Sequence, residues 1–252
     1  MILDKFKLDG KKAVVTGGTK GLGKAIALAL AQAGADIALV SRGDNPELRD
    51  EIEALGRLCR HHAADLSDRT QTKKIVPSLA EQMGGLDILV NCAGIITRVP
   101  NEEFPESAWD SNLEINLNGA MLLIQAAARL MIEKGYGKII NVASILSFQG
   151  GLNVPAYAAS KHALVGLTRS CCNAWADKGV NVNAIAPGFF ATEFTQALQD
   201  DPERSAALMG RVPAKRWGNA EDIGGAAVYL ASAASDFVHG ATLTVDGGWL
   251  AN

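Results

Sequence analysis

The chain has 252 residues, of which 48% are hydrophobic, and a net charge of −3. Acidic and basic residues are interspersed, which argues against a nucleic-acid surface or a polybasic membrane patch. The N-terminus lacks a signal-peptide pattern, and every apolar stretch is broken short of the ~20 residues of a membrane span. We therefore expect a cytoplasmic protein with one domain over residues 1–252, and the four cysteines, which lack zinc-site spacing, predict reduced thiols and no metal.

Short apolar runs alternate with helical patterns along the whole chain. The runs predict strands at 13–16, 36–41, 59–64, 86–91, 138–143, 180–186 and 242–245. The helical patterns lie at 21–33, 46–56, 69–83, 107–134, 156–177 and 221–232. This alternation predicts an α/β fold of the Rossmann type, doubly wound, with a mostly parallel seven-stranded sheet and helices on both faces. Ligands bind such a sheet outside the carboxyl ends of its strands.

A glycine-rich turn, Thr16-Gly17-Gly18-Thr19-Lys20-Gly21-Leu22-Gly23, follows the first predicted strand. Glycines let the backbone approach a pyrophosphate, and the N-terminus of the next helix points free N–H groups at the anion. Such a turn can also do no more than join a strand to a helix, but its place in the first βαβ unit favours dinucleotide binding. The predicted contacts in this turn are Gly17, Thr19, Lys20, Gly21, Leu22 and Gly23.

The end of the second strand is where the choice between NAD and NADP is expected. An acidic residue there would bind the ribose 2′-hydroxyl of NAD, but this chain has Ser41-Arg42, and Lys20 lies in the glycine-rich turn. A hydroxyl and two cations suit the 2′-phosphate of NADP. Alternatively, Lys20 and Arg42 are solvated surface charges.

Two further strand ends fit the same cofactor. Asp65 follows the third strand and could accept a hydrogen bond from the adenine amino group, or could cap the next helix. Asn91-Cys92-Ala93-Gly94 follows the fourth strand, and small residues there let the chain pass close under a ribose. Alternatively, this is a tight turn in which Asn91 ties two strands together.

Tyr157 and Lys161 stand four residues apart at the start of a predicted helix, which places the phenol and the ammonium on one face. A neighbouring cation favours the phenolate and lowers the tyrosine pKa, so the phenol becomes a usable acid or base. Ser144 ends the fifth strand, where its hydroxyl could polarise a substrate carbonyl. Asn116 is a polar residue in an otherwise apolar helix, and by itself is best interpreted as a core amide.

With these residues in this order, the chain resembles the short-chain dehydrogenase/reductase family over essentially its whole length. The resemblance implies that Tyr157 is the acid/base, that Ser144 holds the carbonyl oxygen, and that Lys161 binds the ribose. It also implies that Asn116 positions a water in a proton relay through Lys161. It extends the cofactor contacts to Leu66, Asn91, Ala93, Gly94, Tyr157, Lys161, Pro187, Gly188 and Thr192. Cys92 departs from the usual asparagine of the family.

The substrate side is predicted from residues 147–153 and from the loop after Gly94. Gln149 and Asn153 could bond hydroxyls, and Arg98 could bind a carboxylate or be a solvated charge. Several stretches, such as residues 144–151 and 245–251, resemble one subgroup of the family, the bacterial 2-deoxy-D-gluconate 3-dehydrogenases, also called 2-dehydro-3-deoxy-D-gluconate 5-dehydrogenases. This resemblance implies a sugar acid or keto acid as substrate and NAD as cofactor, whereas Lys20 and Arg42 favour NADP.

Alternative functions remain open at this stage. A 3-oxoacyl-[acyl-carrier-protein] reductase would share the catalytic residues, and a non-catalytic dinucleotide sensor or scaffold would share the fold. The family resemblance also implies a homotetramer. Residues 192–217 form a long segment with few glycines, which we interpret as a mobile lid over the ligand.

Overall fold

A single parallel sheet contains all seven strands of the computed structural model, which describes residues 1–252. The strand order is β3-β2-β1-β4-β5-β6-β7, so the direction of winding reverses between β1 and β4. This order confirms the predicted Rossmann-type architecture, and every strand pair is parallel. The strands are β1 (Lys12–Thr16), β2 (Asp36–Ser41), β3 (Cys59–Ala63), β4 (Ile88–Asn91), β5 (Gly137–Val142), β6 (Val180–Pro187) and β7 (Thr242–Val245).

Helices cover both faces of this sheet. Each strand contributes side chains to the core on either face, because successive side chains of a strand point to opposite sides. Val15 packs into a core with Ile26 and Leu30, whereas its neighbour Val14 packs into a second core with Leu79. The α-helices are α1 (Gly21–Gln32), α2 (Pro46–Ala54), α3 (Arg69–Met83), α4 (Glu106–Leu113), α5 (Ala120–Lys134), α6 (Pro155–Trp175), α7 (Gln196–Gln199), α8 (Pro202–Arg211) and α9 (Gly224–Ala231).

The long helix predicted at 107–134 is one helical run that contains a π-helical turn. This turn, Glu114–Gly119, separates α4 from α5. Contrary to the sequence expectation, the run Glu106–Lys134 is long and apolar enough to cross a membrane by length and composition. Its apolar side instead packs against the sheet, where Leu123, Ile124 and Ala127 are fully buried.

Short 3₁₀ helices and two α-helices between residues 193 and 211 were not predicted, and the 3₁₀ helices and α7 are too short to show a helical period. α7 and α8 lie in the segment expected to form a lid, and neither helix has a fully buried residue. The 3₁₀ helices are Ile2–Phe6, Asn101–Glu103, Ile145–Ser147, Ala176–Lys178, Glu193–Thr195, Ala220–Ile223, Ala233–Ser235 and Trp249–Ala251.

Candidate active site

A cleft of about 1110 Å³ runs along the carboxyl ends of the strands. Its nucleotide end is lined by the glycine-rich turn and by residues 41–44, and its other end by Ser144, Tyr157 and Lys161. This is where a doubly wound sheet binds its ligands. All the residues that the sequence predicted for the site line the cleft, with the exception of Asn91 and Asn116.

The glycine-rich turn has the backbone shape that a dinucleotide needs. Gly17 and Gly21 have positive φ angles of 64° and 50°. A Cβ on Gly17 would lie 3.0 Å from the Cα of Ala93, so any larger residue would collide with the neighbouring loop. No side chain caps the N-terminus of α1, which leaves the N–H groups of its first turn available for a phosphate. The turn and the length of the cleft fit a dinucleotide.

The three groups predicted to bind a 2′-phosphate differ in what they already contact. Lys20 forms an exposed ion pair with Glu193, with 3.1 Å between Nζ and Oε2. The Ser41 hydroxyl donates to the carbonyl oxygen of Gly43 at 2.6 Å and lies 3.0 Å from Nε2 of His61. Arg42 is exposed and forms no ion pair, so its guanidinium is the group most available to an anion.

Asp65 has its own local partners at the end of β3. Its carboxylate accepts hydrogen bonds from the backbone N–H and the hydroxyl of Ser67, at 2.9 and 2.8 Å. These bonds, the backbone one first, lower the pKa of Asp65 below its usual value. The alternative interpretation of Asp65 as a helix cap is wrong, because Asp68 caps α3.

Asn91 and Asn116 lie beneath the cleft. The Asn91 amide donates to Oδ1 of Asn141 at 2.9 Å, so its side chain ties β4 to β5, while a contact of Asn91 with the cofactor stays a prediction. The Asn116 amide bonds the N–H and the carbonyl of Ile95 and donates to the Ser160 hydroxyl at 3.2 Å. The proton-relay role of Asn116 therefore stays a prediction, while its core-amide role is observed.

Gly94 makes room between these groups and the cleft. A Cβ there would lie 3.2 Å from Oδ1 of Asn116 and 3.8 Å from Nζ of Lys161. The hydroxyl of Thr16 accepts the N–H groups of Cys92 and Ala93 at 3.0 and 3.1 Å, which holds this turn against β1. The Cys92 side chain lines the cleft as well.

The catalytic candidates meet where β5 ends and α6 begins. Pro155 stands at the first position of α6, where its missing N–H costs nothing, so Tyr157 and Lys161 lie in the first two turns. Nζ of Lys161 lies 5.6 Å from the centre of the Tyr157 ring and donates to the carbonyl oxygen of Val142 at 2.7 Å. The Ser144 hydroxyl accepts the N–H of Leu146 at 3.1 Å, so its own proton can be donated to the Tyr157 oxygen or to a ligand.

Burial dominates the proton affinities of the phenol and the ammonium. It raises the pKa of Tyr157 to about 12, against a smaller lowering by the Ser144 hydroxyl and the Arg98 guanidinium. Burial lowers the pKa of Lys161 to about 8. Burial thus outweighs the groups that lower the pKa of Tyr157 in the chain itself, and the lowering expected from Lys161 beside a bound nicotinamide stays a prediction.

Ser147 is a buried residue of the site that sequence reasoning did not single out. Its hydroxyl donates to the carbonyl oxygen of Lys161 at 2.8 Å and accepts the N–H of Ser144 at 3.3 Å. One side chain thus links the Ser144 turn to the helix that carries the lysine. Its spacing of three residues from Ser144, at the N-terminus of a 3₁₀ helix, matches a capping box and is the signal that was available.

The substrate candidates line the end of the cleft next to Tyr157. Arg98 donates one long hydrogen bond, 3.4 Å, to the carbonyl oxygen of Phe194 and forms no ion pair. Gln149 accepts a hydrogen bond from the indole N–H of Trp249 at 2.8 Å, which orients its amide. Asn153 has a positive φ of 60° and its side chain lines the cleft.

Other lining residues were not predicted individually, although three of them lie in the expected lid at 192–217. Arg204, Leu208 and Arg211 share one face of α8, and Trp249 comes from the C-terminal 3₁₀ helix. The Arg211 guanidinium lies 4.0 Å from the centre of the Trp249 ring. The i, i+4, i+7 spacing on α8 was the available signal for the first three residues, and Asp44, three residues after Ser41, was visible as an acid near the second strand end.

Known proteins that are similar to this chain in sequence and in fold identify its class. Residues 17–250 match a family model described as enoyl-(acyl carrier protein) reductase. A 2-dehydro-3-deoxy-D-gluconate 5-dehydrogenase of Bacillus subtilis is 51% identical over 98% of this chain and 97% of its own length. The fold and these matches define an NAD(P)-dependent oxidoreductase. The chain belongs to the short-chain dehydrogenase/reductase family, as the sequence resemblance implied.

Two solved structures are similar over their full length. One, from Agrobacterium tumefaciens, is described as a candidate 2-deoxy-D-gluconate 3-dehydrogenase with bound NADP, with a TM-score of 0.94, 48% identity, and coverage of 99% of this chain and 100% of that one. The other is a gluconate 5-dehydrogenase from Burkholderia cenocepacia in complex with NADP and tartrate, with a TM-score of 0.95, 41% identity and full coverage of both chains.

Proposed function

We propose that the chain interconverts a secondary alcohol and a ketone on a sugar acid of the 2-deoxy-D-gluconate or 2-dehydro-3-deoxy-D-gluconate type. The observation that carries this proposal is that one cleft brings the Tyr157 phenol, the Ser144 hydroxyl and the Arg98 guanidinium to the same end. A proton donor, a carbonyl-binding group and a carboxylate-binding group are what reduction of a keto acid requires. The activities for which the similar Bacillus subtilis and Burkholderia cenocepacia proteins are named, both on sugar acids, support the same substrate class.

The glycine-rich turn would hold the pyrophosphate of the cofactor, and Asp65 and Leu66 would flank its adenine. Ala93, Gly94 and Lys161 would lie along the nicotinamide ribose, while Pro187, Gly188 and Thr192 would contact the carboxamide. A bound nicotinamide supplies the hydride in reduction and accepts it in oxidation. The protein's own task is to place the reacting carbonyl and to manage one proton.

Tyr157 carries that proton. Because burial raises its pKa to about 12, the phenol is protonated at neutral pH and can donate to the carbonyl oxygen as the alcohol forms. The Ser144 hydroxyl donates a hydrogen bond to the same oxygen and so polarises the carbonyl. In oxidation the Tyr157 oxygen takes the proton back, and the Lys161 ammonium stabilises the phenolate.

Arg98 would bind the carboxylate of the substrate, with the oriented amide of Gln149 and the side chain of Asn153 bonding its hydroxyls. Arg98 is suited to this because its side chain lacks a carboxylate partner in the chain. A guanidinium binds a carboxylate through two parallel hydrogen bonds, which fixes the acid's orientation as well as its charge.

A parallel assay of keto sugar acids with NADH and NADPH tests the proposal. We expect 2-dehydro-3-deoxy-D-gluconate or a close analogue to turn over, and the same ketone without its carboxylate to turn over far more slowly. Absence of turnover with every acid, despite cofactor binding, would contradict it and would favour a nucleotide sensor.

A 3-oxoacyl-[acyl-carrier-protein] reductase is the second candidate. The matching family model is named for an acyl-carrier-protein reductase, and the exposed apolar side chains of Leu152 and Phe194 at the cleft would suit an acyl chain. A 3-oxoacyl thioester in the same assay discriminates the two, because preference for it over the sugar acids would favour the reductase.

We also propose that the enzyme is a cytoplasmic homotetramer. Its four cysteines are free thiols, which suits a reducing compartment. Light scattering during size-exclusion chromatography, with the mass of one chain or two as the contrary result, tests the assembly.

A further inference from the structure

An acidic residue lies in the wall of the cleft where the 2′-position of the adenosine ribose is expected. Asp44 lines the nucleotide end together with Ser41 and Arg42. A carboxylate there accepts a hydrogen bond from a ribose hydroxyl but repels a 2′-phosphate. The loop therefore contains one group that suits NADP, Arg42, and one that suits NAD.

The charge of Asp44 is compensated from outside the cleft. Its Oδ2 lies 3.0 Å from the Nη2 atom of Arg49, on α2, and both side chains are about one-third exposed, at 35% and 34%. Its Oδ1 accepts the backbone N–H of Asn45 at 2.7 Å and lies 3.7 Å from Nδ1 of His61. The carboxylate is thus held toward α2.

His61 also fixes the loop that carries Asp44. The single Ser41 hydroxyl proton is donated to the carbonyl oxygen of Gly43, so the 3.0 Å contact with His61 requires that Nε2 of the histidine donates. The Ser41 hydroxyl then both donates and accepts a hydrogen bond within the chain. The choice between NADP and NAD then depends on Arg42, on Asp44 and on the group that compensates the Asp44 charge.

We propose that the Asp44–Arg49 ion pair, in the frame that His61 and Ser41 hold, decides between NADP and NAD. Arg49 removes the repulsion between Asp44 and a 2′-phosphate, and Arg42 then binds that phosphate. Arg49 acts through Asp44 and is a positioning residue rather than a ligand of the nucleotide.

Direct binding of two nucleotide fragments tests this pair without any turnover. Isothermal titration calorimetry of AMP and of 2′-phosphoadenosine 5′-phosphate gives a ratio of dissociation constants that isolates the 2′-phosphate. Arg49→Gln leaves the Asp44 charge uncompensated and is expected to weaken binding of the doubly phosphorylated fragment by roughly tenfold relative to AMP. Asp44→Asn in the same chain is expected to return the ratio to the wild-type value or below.

The chain offers a matched control for the loss of an arginine. Arg57 pairs with Asp9 at 3.9 Å and is 32% exposed, close to the value for Arg49, but its partner Asp9, unlike Asp44, does not line the cleft. Arg57→Gln is expected to leave the ratio unchanged. The proposal is overturned if Arg49→Gln leaves the ratio unchanged, or if Asp44→Asn does not reverse the raised ratio. It is also overturned if Arg57→Gln shifts the ratio equally, or if the wild type binds neither fragment.

Discussion

The two walls of the cleft beside Tyr157 are built in different ways. The catalytic wall, residues 144–161, is tied to the core, since Ser144, Ser147 and Lys161 are at most 7% exposed and bond to backbone atoms. The outer wall, residues 193–211, has no fully buried residue in its three short helices and contributes Arg204 and Arg211 without ion pairs. Groups that transfer a proton need fixed positions, whereas groups that select a substrate can sit on elements with little core.

The largest expected effect tests the catalytic wall at its centre. Tyr157→Phe removes the transferred proton and is expected to lower kcat by roughly 10³-fold while nucleotide binding is retained. Steady-state kinetics and calorimetry measure the two quantities. Tyr136→Phe is the matched control, since burial raises the pKa of that phenol to about 12 as well, but it lies outside the cleft. Substantial residual turnover in Tyr157→Phe would remove the assigned role.

The second effect asks whether Arg98, in the loop after β4, or the outer wall holds the carboxylate. Arg98→Gln is expected to raise KM for the acid by roughly thirtyfold with little change in kcat, because one charge-assisted pair is lost. Arg204→Gln, on the outer wall, is expected to change KM much less. If Arg204→Gln has the larger effect, the outer wall binds the acid and the role assigned to Arg98 is wrong.

The third effect concerns positioning within the catalytic wall. Ser147→Ala breaks the link between the Ser144 turn and the Lys161 carbonyl, and we expect kcat to fall roughly tenfold with KM unchanged. Ser147→Thr keeps the hydroxyl and should restore turnover. The control is Ser205→Ala, which removes the acceptor of the Trp217 indole N–H on the outer wall. A loss of thermal stability with kcat unchanged would show that Ser147 has only a structural role.

The smallest effect is a pH dependence set by burial. Because burial lowers the pKa of Lys161 to about 8, its ammonium is present below that pH and is lost above it, while Tyr157 stays protonated up to about 12. Reductive kcat should therefore be flat to about pH 8 and decline a few-fold above it. A profile that falls on the acidic side, below neutral pH, would contradict this assignment.

Much of the fold was predictable because it depends on local patterns. β2, α3 and β7 have the predicted bounds, and the other predicted elements differ by a few residues at their ends. The glycine-rich turn was predictable for the same reason. So was the shared face of Tyr157 and Lys161, because two helical residues that stand four positions apart lie on the same side of the helix. The π-helical turn at Glu114–Gly119 was not predictable, since the local sequence pattern there is that of a continuous helix; within the turn, the Asn116 amide bonds to the distant Ile95 backbone.

The sequence by itself therefore determined the order of strands and helices, the nucleotide-binding turn and the identity of the reactive side chains. The tertiary structure alone decided which polar groups already have partners. It turned Asn91 toward Asn141, Asp44 toward Arg49, and Gln149 toward Trp249, which is 100 residues away. The physical reason is that periodicity sets where a side chain points from its own element, whereas desolvation and hydrogen bonding depend on the neighbours that packing brings.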